Sequence, residues 1–464
     1  MNVLASLFQM RHRSAMKSLA GIPGPVPSFP FGNALDFLGK LAWEVCAGYA
    51  STYGPVTLIW LLGKPVVVLN DPTLIGQVLD TERENFYKDV PHDALLPILG
   101  SACPFLANDP EWATKRANHP FSSPDLPAWL ESQIDPLREA LTAGLDRLVT
   151  ASASSPVDLL EAVQRLSFDT FAVAVWGRQL PDEIYRLFLS LARVGDRRIK
   201  TQISWLPPPL SPCFWLVRGR WHERFNVLLD EARRNVSQNS PALVHFLLRQ
   251  GTPLSGDALR DVLANIFFGG VFSVASALTT ALYLLTKYPD VEQRLQTEAA
   301  ERLGPGGNLD LARLEEWEFL DCVLRESLRY YAPVPLHSRN VRKTGPVSFA
   351  GHLVPADTVV FITNWALHQS TAHYHKPDEF NPDRWAKGAG LRESTPLGSD
   401  YFFPFGRGPR MCVGLPFAWM FLKLALALLA AQVRVELDPA RTYRQTFFFG
   451  VMLPRGLTAR FRAG

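Results

Sequence analysis

"FFPFGRGPRMCVG", Phe402 to Gly414, sets one cysteine in a loop dense in glycine, proline and arginine, just ahead of a long apolar run. A cysteine on a glycine-rich loop running into a helix N-terminus sits where backbone N–H groups and the helix dipole favour a thiolate. Such a thiolate serves as a nucleophile, a redox thiol or a metal ligand. No histidine or asparagine stands close in sequence as a base, although a distant one stays open, and no second cysteine is at hand to resolve a disulfide. What surrounds Cys412 is Arg410 two residues earlier, the aromatic Phe405, and Gly408 and Gly414, which permit a tight loop against something flat.

Those neighbours meet the needs of an axial thiolate under a haem: backbone donors to the sulfur, an apolar shield and a cation for a haem carboxylate. Phe405-x-x-Gly408-x-Arg410-x-Cys412-x-Gly414 matches every defined position of the haem-ligand signature of the cytochrome P-450 superfamily, which the chain resembles. The resemblance continues over nearly the whole chain in the family's order. "RESLR" supplies Glu326 and Arg329, similar to the family's E-x-x-R pair, and "NPDRW" supplies Arg384, similar to the arginine that completes a buried Glu-Arg-Arg network. By itself the Glu326–Arg329 spacing reads as an ordinary surface ion pair. In the family's network one carboxylate shared by two guanidiniums has a structural role, fixing the loop below the haem.

Trp112 and Arg116, in "PEWATKR", match the family's W-x-x-x-R helix, and Arg339, in "PLHSRN", resembles a further propionate-binding arginine. Each arginine alone reads equally as a solvated surface charge. With Arg410 they make a haem clamp, because a propionate is a carboxylate and arginine pairs with it in charge-assisted hydrogen bonds. The resemblance thus implies haem b with Cys412 as axial ligand and Trp112, Arg116, Arg339, Phe405, Gly408, Arg410 and Gly414 around it.

The family's long central helix carries an (Ala/Gly)-Gly-x-(Asp/Glu)-Thr-(Thr/Ser) stretch above the iron. Aligned through "ALTTALYLL", this chain reads Gly269, Gly270, Val271, Phe272, Ser273, Val274. The small pair Gly269 and Gly270 is kept, giving dioxygen and substrate room and permitting a widened helical turn. Phe272 replaces the acid and Ser273 the threonine. A serine hydroxyl can donate to bound oxygen or bond back to the preceding turn; phenylalanine relays no protons. Monooxygenation needs protons delivered to the distal oxygen. Three readings follow: delivery through Ser273 with ordered water or a substrate hydroxyl, a substrate that already contains an O–O bond, or an alignment displaced by one turn. Allene-oxide-type relatives tend to carry an insertion in the haem loop, and fatty-acid peroxygenases a carboxylate-holding arginine in the central helix; neither is expected here.

By analogy the substrate pocket is apolar, with Phe268, Val271, Phe272, Val334, Leu336, Val451 and Met452, although core packing explains apolar residues equally well. The resemblance implies a monooxygenase that hydroxylates or epoxidises a lipophilic small molecule such as a fatty acid, terpenoid, steroid or polyketide. Electrons would come from a separate ferredoxin and reductase, since the chain ends soon after its last hairpin, and Arg407 is a candidate contact for an acidic carrier. The alternatives are an oxygen-independent peroxygenase or hydroperoxide isomerase, and a non-catalytic haem-binding sensor or carrier.

The 464 residues, 47% of them hydrophobic, suffice for a large core, and no Gly/Ser linker divides them. We expect an N-terminal extension over 1–21 and one domain over 22–464, a monomer, mainly α with a smaller β region as in the P-450 fold, the haem lying between the central helix and the helix after the cysteine loop. A net charge of +3 without a basic arm argues against nucleic acid. Five scattered cysteines, Cys46, Cys103, Cys213, Cys322 and Cys412, without a C-x-x-C pair, suit a reducing compartment and a cytoplasmic setting. The apolar patch at the N-terminus is too short to span a bilayer, leaving weak peripheral contact as its most membrane-like role. Val262 to Thr286 has spanning length, yet Asn265, paired glycines and hydroxyls mark it as the central helix of a globular protein.

Helical patterns cover 126–150, 157–177, 218–236, 257–287, 289–303 and 311–331, with a break at "WLPPPLSP", Trp205 to Pro212. A hairpin split at Gly63 and Lys64, short strands over Val347 to Ile362 and a closing hairpin in "TFFFGVMLPRGLTARF" complete the reading, with both chain ends contributing to one strand-rich region.

Overall fold

The computed structural model describes residues 3–88, 92–201, 212–254, 256–303 and 310–464. Helix accounts for 57% of the structure and the strands form a smaller part, which is the mainly α class expected. Two compact units emerge, one of Met1–Val90, Arg329–Glu379 and Gly390–Cys412, the other of Pro91–Leu328, Phe380–Ala389 and Val413–Gly464.

The first unit is built on a five-stranded sheet in the order Val56–Leu61, Lys64–Leu69, Val359–Ile362, His337–Val341, Phe86–Tyr87. Its first hairpin turns at Leu62 and Gly63, one residue earlier than expected. Both have positive φ, 52° and 82°, the mirror-image turn whose twist suits a two-residue hairpin. Fully buried Val67, Leu69, Val360 and Ile362 make one face of this sheet the unit's core, to which Phe8 of the short helix Val3–Arg11 adds an edge-on contact with Trp60 at 5.4 Å.

Helices dominate the second unit: Leu126–Ser152, Leu159–Trp176, Asp182–Thr201, Pro212–Arg234, Gly256–Lys287, Pro289–Leu303 and Leu415–Gln432. The central helix Gly256–Lys287 is 32 residues long, and 83% of its most apolar window is buried by protein. It and Leu415–Gln432 have the length and composition to cross a membrane. The expected 311–331 helix is two, Leu311–Glu315 and Glu318–Tyr330, and the helix Asp182–Thr201 has no counterpart among the expected ones. Of the expected proline break, only Pro212 lies within the described residues, already inside a helix.

The strands of the C-terminal end do not join the five-stranded sheet, which corrects the single strand-rich region drawn from both ends. Arg444–Phe448 and Val451–Arg455 form their own hairpin, while Thr458–Ala463 leaves it to lie between Val433–Leu437 and Val157–Asp158. The first sheet instead draws on the segment after Tyr330, because Lys64–Leu69 finds a parallel partner in Val359–Ile362.

Candidate active site

In the first unit the cysteine loop is a succession of tight turns. Gly406 N donates to Phe403 O, Met411 N to Gly408 O and Cys412 N to Phe405 O, each at 2.9 Å. Gly408 has φ +72°, and a Cβ there would stand 2.0 Å from Asp80 Oδ1 and 2.5 Å from Leu79 O, so this position admits only glycine. The thiol of Cys412 is exposed, and Phe405, Gly408, Arg410 and Gly414 are half-buried. Arg407 bridges Asp80 and Asp400, both at 2.5 Å. It therefore fastens the loop and offers an acidic carrier little, contrary to the docking role considered for it.

Arg339, on the strand His337–Val341, is 8% exposed, and Nη1 donates to the carbonyl of Ser338 at 2.7 Å. No carboxylate pairs with it among the described residues, and burial together with the nearby charge of Arg410 pulls its pKa down to about 10. A desolvated guanidinium facing a second one is costly unless an anion is supplied. This donor set fits a haem carboxylate.

His368 is fully buried and accepts a backbone hydrogen bond from Phe403 N at Nε2, 3.3 Å. Arg329, also fully buried, donates to the carbonyls of His368 at 2.8 Å and Glu379 at 3.2 Å and lies over Tyr374. The latter arginine thus ties down two chain segments of the first unit.

In the second unit Glu326, 0% exposed, accepts from Arg384 Nε at 3.0 Å, Trp385 Nε1 at 2.8 Å and Asn381 N at 2.9 Å. The indole and the amide were not apparent in the sequence. Nothing but their position beside Arg384 in "NPDRW" signals them. Such a set of donors satisfies the hydrogen-bonding capacity of a buried carboxylate. Trp112 is buried on the short helix Glu111–Ala117, where Arg116 is half-buried. Beyond that helix His119 accepts from Phe121 N at Nδ1, 3.2 Å, and burial with the charge of Arg116 lowers its pKa to about 4.

Between Leu259 and Leu282 the central helix is buried except at Asn265, Gly269, Gly270 and Ser273. This partly open stripe follows helical spacing of i, i+4 and i+8. A Cβ on Gly269 would meet nothing within 4 Å, whereas one on Gly270 would stand 2.2 Å from the Phe171 ring. The two glycines therefore differ: one borders open space and the other admits a neighbouring aromatic ring. Ser273 Oγ donates back to the carbonyls of Gly269 at 2.9 Å and Gly270 at 3.1 Å. Since a hydroxyl has one proton and two lone pairs, these bonds occupy its proton and leave it free to accept.

Phe272, where the family has an acid, is 1% exposed. It stacks on Phe188 at 4.9 Å and meets Phe448 edge-on at 5.3 Å. Of the residues expected to line a pocket, Phe268, Val271, Phe272, Val451 and Met452 are buried within the second unit, and Val334 and Leu336 are half-buried in the first. Met452 contributes its carbonyl, which accepts from Ser276 Oγ at 2.6 Å and pins the last hairpin to the central helix. The central helix does contain an arginine, Arg260, but Asp257 and Asp261 hold it at 2.6 and 2.7 Å.

Comparison with known proteins agrees across the chain. The family model for Cytochrome P450 matches residues 22–458. Cytochrome P450 3A13 of Mus musculus is 28% identical over 467 residues, covering 94% of this chain and 89% of that protein. Cytochrome P450 71D179 of Thymus vulgaris is 25% identical, with 95% and 91% covered. Among solved structures, the cytochrome P450DA heme domain superposes with a TM-score of 0.80 over 96% of this chain and 97% of that one, and at 19% identity it speaks for the fold. With a cysteine loop of the right spacing, a glycine-notched central helix and a family match over nearly its full length, the chain belongs to the cytochrome P450 family, whose members are in general haem-thiolate monooxygenases.

Proposed function

We propose that this protein binds haem b through Cys412 and uses it to insert one oxygen atom of dioxygen into a lipophilic small molecule, yielding an alcohol or an epoxide. The observation that carries the reading is Arg339, buried near Arg410 without a carboxylate partner among the described residues, in the same unit as the exposed Cys412. When bound, the haem supplies the activation of dioxygen, and its thiolate ligand favours O–O cleavage. The chain's residues do the rest. Cys412 holds the metal, Phe405 shields the sulfur, Gly408 and Gly414 let the loop approach a flat group, and Arg339, Arg410, Trp112 and Arg116 pair with carboxylates. Glu326, Arg329 and Arg384 keep the supporting segments in place.

Gly269 leaves room for small ligands, with Gly270 admitting Phe171 beside it, and Ser273, as an acceptor, orders the water that delivers protons. Reducing equivalents come from a separate ferredoxin and reductase, and the protein works as a cytoplasmic monomer with weak peripheral membrane contact at most.

The test is an optical titration of the ferric holoprotein with fatty acids, terpenes, steroids and polyketide-like compounds. A saturable low-spin to high-spin shift with one class supports displacement of a bound water by substrate as the first step. A second reading is favoured by Phe272 in its aromatic stack and by the proton of Ser273 being spent on its own helix: turnover of a hydroperoxide, which requires no proton relay. Product formed from a hydroperoxide without reductant, and none from dioxygen with reductant, would replace the first reading by the second.

A further inference from the structure

His337 opens the strand that carries Arg339. Side chains two residues apart on a strand point to the same side, so the imidazole and the buried guanidinium share one face. The ring lies 6.3 Å from that of Phe403, near the head of the cysteine loop. It is half-buried, yet its Nε2 is closed off from solvent and has no hydrogen-bond partner. A polar nitrogen held in that way is unfavourable, since hydration is lost and no other bond replaces it. His368, another imidazole of this unit, already accepts from Phe403 N.

The charges that act on His337 are of one sign. Arg339 and Lys88 are both cations, and with burial they lower its pKa to about 3. Arg410 acts in turn on Arg339. Positive charge from three side chains thus converges on a neutral imidazole, and an anion with several lone pairs fits there. A carboxylate offers about four lone-pair sites, of which a guanidinium fork takes only some. We propose that His337 is a haem-binding residue of this chain, its ring N–H donating to the carboxylate that Arg339 holds. Arg339 supplies the charge, and His337 fixes the direction in which the carboxylate points. The assignment rests on the haem reading above.

Transfer of haem from the ferric holoprotein to excess apomyoglobin measures how firmly the cofactor is held. His337→Phe keeps a ring and removes the N–H, and should lose haem about tenfold faster than the wild type. His337→Gln, which retains an N–H donor, should stay within about threefold of the wild type. The decisive control is haem dimethyl ester, in which both carboxylates have lost their charge. With it the wild type and His337→Phe should differ by no more than about twofold, whereas a ring that merely packs would keep its whole effect. A Phe variant that retains haem as the wild type does, a Gln variant as leaky as Phe, or a difference that survives esterification would overturn the proposal. The crystal structure of the wild-type holoprotein decides without any variant: His337 nitrogens beyond about 3.5 Å from both carboxylates would overturn it as well. Absence of a thiolate-type band in the reduced carbon monoxide complex of the wild type would sink the haem reading instead.

Discussion

Cys412 in the first unit and Ser273 in the second are the two side chains to which the proposed function gives chemistry, and each is held differently. Cys412 sits at the end of a loop whose turns are closed by backbone bonds, so the position of its thiol is set by the main chain. Cys412→Ser keeps those bonds and removes the soft ligand. It should abolish the thiolate-type spectrum of the reduced carbon monoxide complex, and an unchanged spectrum would refute the ligand assignment. Ser273 is tied to the preceding turn through its proton, so in the proposed function it acts as an acceptor that orders water. Ser273→Ala removes that acceptor. The ratio of product to reductant consumed should drop about tenfold or more while substrate affinity stays within twofold or so. Unchanged coupling would show that protons arrive by another route.

At the scale of the element, the central helix combines an open notch with tight packing one residue away. Phe171 is 2% exposed and wedged among Phe267, Phe417 and Phe421, so its ring cannot swing clear of a new methyl group on Gly270. Gly270→Ala is expected to destabilise by about 1–3 kcal/mol through overpacking. Gly269→Ala, facing open space, should leave stability unchanged or gain up to about 1 kcal/mol from helix propensity. Thermal unfolding of the two variants side by side checks this, and equal transition temperatures would contradict the packing described. The Gly269–Gly270 pair was legible as a motif, but its division of labour was not, since it depends on Phe171, a residue distant in sequence. For a similar reason the replacement of the acid by Phe272 reads in sequence as a loss. In the structure the ring joins Phe188 of Asp182–Thr201, a helix the sequence reading omitted, to Phe448 of the last hairpin. The cysteine loop was legible because its chemistry is local, fixed by φ and spacing within a few residues. The sheet partners of the C-terminal strands were not, because strand pairing is set by contacts between segments far apart in the chain.

Across the whole molecule each compact unit carries a buried histidine that accepts a backbone amide, His368 in the first and His119 in the second. A ring nitrogen can accept only while unprotonated. Burial, reinforced by Arg329 for His368 and by Arg116 for His119, lowers their pKa values to about 3 and about 4. In the unfolded chain both return to about 6.5. As pH falls below that value the unfolded state takes up protons that the folded state refuses, so stability is complete above about pH 6.5 and declines toward the folded values. Each histidine contributes a slope of up to about 1.4 kcal/mol per pH unit, about 2.7 for the pair. Glu44, Asp169 and Asp261, whose pKa values burial raises, take up protons in the folded state before they do in the unfolded one and so oppose the decline. The window set by the histidines runs from about pH 6.5 down toward their folded values. Urea unfolding at several pH values in that window should show the midpoint falling with each step and level above pH 7. A midpoint that stays constant down to pH 5 would mean that the two rings are already protonated in the fold or reach solvent there, and the hydrogen bonds to Phe403 and Phe121 would have to be abandoned.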